Sequence, residues 1–156
     1  MTETLATALE REHHEIDEGL AAFRSDGEAA RLRDAVSALR RHVYLEEVLV
    51  FPSLRQAGMM APVFVMLREH GEMWQVLDRL DVSVDRADLE QLCGELEPLL
   101  QAHNGKEEPI LYPQVDAELD EDQSAALRSF LATGSTPAGW VCEQASGGGL
   151  RNLPFG

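Results

Sequence analysis

The chain has 156 residues and a formal charge of −15, from 13 basic and 28 acidic side chains. That balance repels phosphate backbones and anionic lipid, which excludes nucleic acid and membrane surfaces as partners. A composition 44% hydrophobic but only 6% aromatic favours helices over sheets, and the length suits one domain that buries its core without disulfides. No window approaches the ~20 apolar residues that span a bilayer. No basic region followed by an apolar stretch opens the chain, so no signal peptide is expected. Cys93 and Cys142 make neither a disulfide framework nor a zinc motif, and the expected location is a reducing cytoplasm.

The first predicted helix is carried by Leu5, Leu9, His13, Ile16, Leu20 and Phe23, a helical spacing with His13 in mid-stripe. Ser25-Asp26-Gly27 ends it, and His14 points away toward solvent. A second helix runs from about Glu28 toward Ser53, with Leu32, Val36, Leu39, His42 or Val43, Glu46 and Val50 inside; Pro52 marks a kink or an end. The third starts near Ala61-Pro62 and buries Val63, Met66, Leu67, His70, Trp74, Leu77 and Leu80. In the fourth, Leu89, Leu92, Leu96, Leu99, Leu100, His103, Glu107 and Leu111 line up, with a kink or wide turn expected around residues 104–109 from Gly105 and Pro109. A shorter fifth helix covers Asp120–Thr133. The domain is therefore expected over residues 1–133, followed by an irregular tail, 134–156, which Trp140, Val141, Leu150 and Phe155 anchor. Short connections imply an all-α, antiparallel up-down-up-down four-helix bundle.

Four of the five histidines sit on inner stripes, one per long helix. Two carry a glutamate at i+4 on the same face, His42 with Glu46 and His103 with Glu107. The chain also repeats itself. Arg11-Glu12-His13 returns as Arg68-Glu69-His70, and His42, Glu46, Glu47, Phe51 and Pro52 return as His103, Glu107, Glu108, Tyr112 and Pro113. At ~1.5 Å of rise per residue, the four histidines reach a common level within about two turns.

A single histidine on an apolar stripe is ordinarily a satisfied core residue. Ionised carboxylates are not: burying one costs several kcal/mol unless it is paired, and no lysine or arginine shares the stripes near Glu46 and Glu107. Four imidazoles and two carboxylates call for metal. Without thiolates the set suits iron, manganese, zinc or nickel rather than a closed structural zinc site. If both carboxylates bridge and an oxo or hydroxo group joins the ions, about one position per metal stays open, assuming roughly six ligands each. Glu47 and Glu108 face about 100° away and read as solvated charge, Tyr44 and Tyr112 as packing, and Cys93 as a small core residue.

These residues resemble the hemerythrin-like, or HHE cation-binding, domains over about residues 3–115: histidine, H-x-x-x-E, histidine, H-x-x-x-E, with "EE…FP" and "EE…YP" following. The resemblance implies an oxo- or hydroxo-bridged pair of iron ions, with zinc or manganese as substitutes. His13, His42, His70 and His103 would be terminal ligands, and Glu46 and Glu107 bridges. Two departures set the chain apart from oxygen carriers in this family. Trp74 stands where they have a second histidine on the third helix, and the fourth helix supplies H-x-x-x-E rather than H-x-x-x-x-D. The set is closer to iron-centre repair proteins and to peroxide-degrading hemerythrin-like proteins. The expected role is a di-iron protein handling peroxide, oxygen or nitric oxide; the alternative is a non-catalytic sensor, iron store or repair protein.

Overall fold

The computed structural model describes residues 3–147, and among them every regular element is helical. Helix α1 spans Leu5–Asp26. The Thr4 hydroxyl caps it by accepting the Thr7 amide, and Gly27 closes it in the left-handed region at φ 72°. Leu5 and Ala6 donate their amides to the Asp116 carboxylate, at 2.9 and 3.1 Å, so a distant side chain satisfies the exposed start of α1.

Helix α2 (Ala29–Leu45) passes through a π turn, Glu46–Val50, into α3 (Phe51–Gln56). After a turn at Gly58, α4 spans Met60–Val82. Helix α5 (Arg86–Lys106) repeats the earlier device, entering a π turn, Glu107–Leu111, and then α6 (Tyr112–Glu118). A capping box of Asp120 and Gln123 opens α7, Glu121–Thr133, and α8 is Glu143–Gly147.

Two expectations need correction here. Pro52 does not end the second helical run, because the chain continues helically to Gln56. The Phe51 amide reaches back five residues to the Glu46 carbonyl, and the Tyr112 amide does the same to Glu107. This wider turn displaces the carbonyl that a proline ring would strike in a regular helix, so Pro52 and Pro113 fit without a break. The wide turn anticipated at 104–109 is the second π turn, two to three residues later. The tail is also less irregular than expected. It contains α8, it buries Cys142 completely, and it packs Trp140 against Trp74 and Tyr44. Val141 is half exposed rather than an anchor, and Leu150 and Phe155 lie outside the described residues.

The buried apolar side chains form two separate clusters. One holds Ile16, Leu20, Leu39, Val43, Met73, Leu77, Leu96 and Leu100; the other holds Leu5, Leu9, Leu45, Phe51, Leu54, Met66, Tyr112 and Val115. Along each long helical run, a histidine or an H-x-x-x-E pair falls between the two. The polar residues therefore make a layer across the core, closed off by hydrocarbon on both sides.

Candidate metal centre

His13, His42, Glu46, His70, His103 and Glu107 are each 3% exposed or less, and they meet in this layer. Their donor atoms form two groups. His13 and His42 gather with Glu46 and Glu107 in the first, and His70 and His103 gather with the same two carboxylates in the second, each group's atoms lying within 4.8 Å of one another. Each shared carboxylate divides its oxygens. Glu46 Oε2 is 3.3 Å from His42 Nε2 and Oε1 is 3.0 Å from His70 Nε2. Glu107 Oε1 is 3.1 Å from His13 Nε2 and Oε2 is 3.3 Å from His103 Nε2.

The outward nitrogens are equally ordered. His13 Nδ1 meets Glu108 at 2.7 Å, His42 Nδ1 meets Glu12 at 2.9 Å, His70 Nδ1 meets Glu47 at 2.7 Å, and His103 Nδ1 meets Glu69 at 2.9 Å. A carboxylate on Nδ1–H assigns the tautomer and aims the Nε2 lone pair inward, which is how protein metal sites prepare imidazole ligands. Glu47 and Glu108 are thus not solvated charge, as expected from their position on the helix. The π turns rotate each toward a histidine of another helix. Glu12 and Glu69 went unnoticed in the sequence, although a signal was present: each directly precedes a histidine in the Arg-Glu-His repeat and serves the histidine of the following helix.

Tyr112 also departs from the packing role expected of it. Its ring is fully buried and its hydroxyl lies in the first group, 2.6 Å from Glu46 Oε2, 2.9 Å from Glu107 Oε1, 2.9 Å from His13 Nε2 and 3.0 Å from His42 Nε2. Burial and the two neighbouring carboxylates hold the phenol well above its usual pKa, so it keeps its proton. The repeat places Phe51 at the matching position, stacked on His70 with ring centroids 5.5 Å apart. One oxygen atom therefore breaks the symmetry of the two halves. Where phenylalanine stands, His103 Nε2 and Glu107 Oε2 are buried with no hydrogen-bond partner. Tyr44 takes the packing role, against Phe130 and Trp140. Trp74 lies beside Trp140 and beneath the Arg40 guanidinium, 4.4 Å from its ring centre. Cys93 is a buried core residue whose thiol burial pushes up to about 11.

Electrostatics bind the layer together. Burial alone would lower the His42 and His103 pKa values, but Glu46 and Glu12 outweigh it at the first and Glu107 and Glu69 at the second, raising each to about 10. His70 is raised against burial by Glu46 and Glu47. Glu107, despite burial, is held well below the usual carboxylate range by His103 and His13. Such a set stores compensated charge, and a cation entering it would displace protons from the Nε2 atoms. The unpartnered His103 Nε2 and Glu107 Oε2 are the kind of buried polar atoms that a cation satisfies.

No helix among the described residues is long and apolar enough to cross a membrane. No curated protein and no solved structure matches the chain. The family model for the hemerythrin HHE cation-binding domain matches residues 4–115. That stretch contains the six inward donors, the four outer carboxylates and Tyr112, and the chain belongs to the hemerythrin HHE cation-binding domain family.

Proposed function

We propose that this chain binds two iron ions and handles a small ligand, with peroxide, oxygen and nitric oxide as the candidates. The observation that carries the reading is the pair of four-residue donor groups joined through two shared carboxylates. In it His13 and His42 hold one ion, His70 and His103 the other, and Glu46 and Glu107 both. The bundle is antiparallel and up-down-up-down, an inference supported by the order in which successive long helices meet the two apolar clusters. Zinc or manganese would fit the same nitrogen and oxygen donors.

Iron bound here supplies one-electron redox change and Lewis acidity. The protein's share is placement, exclusion and one proton. The four outer carboxylates fix the imidazoles. Beside the donors lies a cavity of about 10 Å³, lined by Ile16, Leu39, Val43, Met73 and Leu100 with Asn104 at one side. That is room for about one water-sized molecule, so small ligands suit the space beside the donors better than bulky ones. Tyr112 keeps a proton at its hydroxyl beside one position only, so the two positions differ in their surroundings.

The first test is metal analysis of the air-exposed protein with its optical spectrum. Two irons per chain and a spectrum altered by nitric oxide or peroxide support the reading, whereas a chain purified and reconstituted without metal sinks it. Tyr112→Phe should still hold both ions. Its two iron environments should become more alike by Mössbauer spectroscopy, and peroxide consumption should slow by about 10², the usual share of a positioned proton donor. A chain whose iron responds to nitric oxide but never consumes peroxide is a sensor or store instead. Glu12→Gln, which removes the charge shared by His42 Nδ1 and Arg41, should weaken iron binding by about 10–100-fold in a chelator competition; unchanged affinity would leave Glu12 no part in preparing His42.

A further inference from the structure

One of the four outer carboxylates is gripped directly by chain that lies beyond the family match, and a second is tied to that chain through Arg41. Glu47 accepts His70 Nδ1 on one oxygen and, on the other, the backbone amide of Glu143 at 2.9 Å. Glu12 accepts His42 Nδ1 on one oxygen and Arg41 at 2.8 Å on the other. The same guanidinium donates to the carbonyls of Phe130, Leu131 and Gly134, at 2.5, 3.1 and 2.9 Å, and lies over the Phe130 ring. Residues 134–143 are therefore fastened at both ends to groups that orient His42 and His70.

Packing follows the same line. Gly71, the residue after His70, is where α8 crosses α4: a Cβ there would come 2.7 Å from Gln144 Cβ, so only glycine permits this approach. Cys142 is fully buried, and Trp140 meets Trp74 edge to face at 5.6 Å. Both tryptophans of the protein sit at this one contact.

We propose that residues 134–147 are a metal-responsive latch, docked tightly when the centre is filled and loosened when it is emptied. The proposal rests on the metal reading of the centre. An ion on His70 Nε2 fixes that ring, and the ring fixes Glu47 in the position that accepts the Glu143 amide. Release of the ring frees Glu47 to move, and the amide at the start of α8 loses its partner. Coupling of this kind is reciprocal: whatever factor the metal adds to docking, docking adds to metal affinity.

Glu143 is the first residue of α8, a position where proline is accepted and where it removes only the amide hydrogen. Glu143→Pro therefore cuts the bond to Glu47, while Glu143→Ala trims the side chain and keeps that bond. Ferrous iron, added without air to the full-length chain, should slow backbone hydrogen exchange in residues 134–147 by about tenfold and shift the tryptophan emission, a coupling of ordinary size. Glu143→Pro should bind iron about tenfold more weakly and lose that protection, with Glu143→Ala matching the unaltered chain. Gly71→Ala, which favours the helix but obstructs α8, should reproduce the proline variant. Equal iron affinity and equal protection in the proline and alanine variants would overturn the latch while leaving the metal centre intact. Failure of the unaltered chain to take up iron would overturn both.

Discussion

On the proposed two-iron reading, Glu107→Ala is expected to reduce bound iron from two ions per chain to one or none, a loss that only removal of Glu46 should match. Glu107 contributes one oxygen to each donor group, so its removal takes a ligand from both ions at once. It also takes away negative charge between two cations in a buried layer, where effective dielectric is low and repulsion strong. Glu107→Gln keeps the shape but not the charge and should fail nearly as badly, which separates electrostatics from packing. Glu108→Gln is the comparison, since Glu108 touches only His13 Nδ1 and its loss should weaken binding without changing the stoichiometry. Metal analysis after desalting, with circular dichroism to confirm helicity, reads all three. Two tightly held irons in folded Glu107→Ala would remove Glu107 from the centre.

Much of this centre was legible in the residues because two periodicities coincide. Helical spacing put His13, His42, His70 and His103 on inner stripes, and H-x-x-x-E put each carboxylate on its histidine's face. The roles of Glu47, Glu108 and Tyr112 were not legible, for one reason. Their directions were reckoned at 100° per residue, while Glu46–Val50 and Glu107–Leu111 are π turns. Widening the turn changes where every later side chain points, bringing Glu47 and Glu108 toward neighbouring helices and Tyr112 into the layer. Pro52, which marks a kink or an end by sequence, and its counterpart Pro113 in the repeat are the visible trace of those turns. The Trp140 anchor of 134–143 was legible, but the hydrogen bonds that fasten this segment were hidden differently. They depend on backbone groups, the Glu143 amide and the carbonyls held by Arg41, and these leave no pattern in side-chain identity.

Filling the centre should raise the melting temperature by about 10 °C or more. A ligand held at a thousand times its dissociation constant adds about 4 kcal/mol for each site, and each kcal/mol moves the midpoint of a domain this size by roughly 2–4 °C. The metal-free layer leaves room for such a gain. His103 Nε2 and Glu107 Oε2 face each other at 3.3 Å without a well-formed hydrogen bond, and two apolar clusters meet across charged side chains instead of hydrocarbon. Scanning calorimetry of the iron-loaded and chelator-treated chain, at equal protein concentration, measures the shift. The increment should fall by at least half in Glu107→Ala, which has too few donors left to hold the pair. Equal midpoints for loaded and stripped protein would mean that the layer holds itself together through its imidazole–carboxylate pairs alone, and the metal reading would then lose its energetic footing.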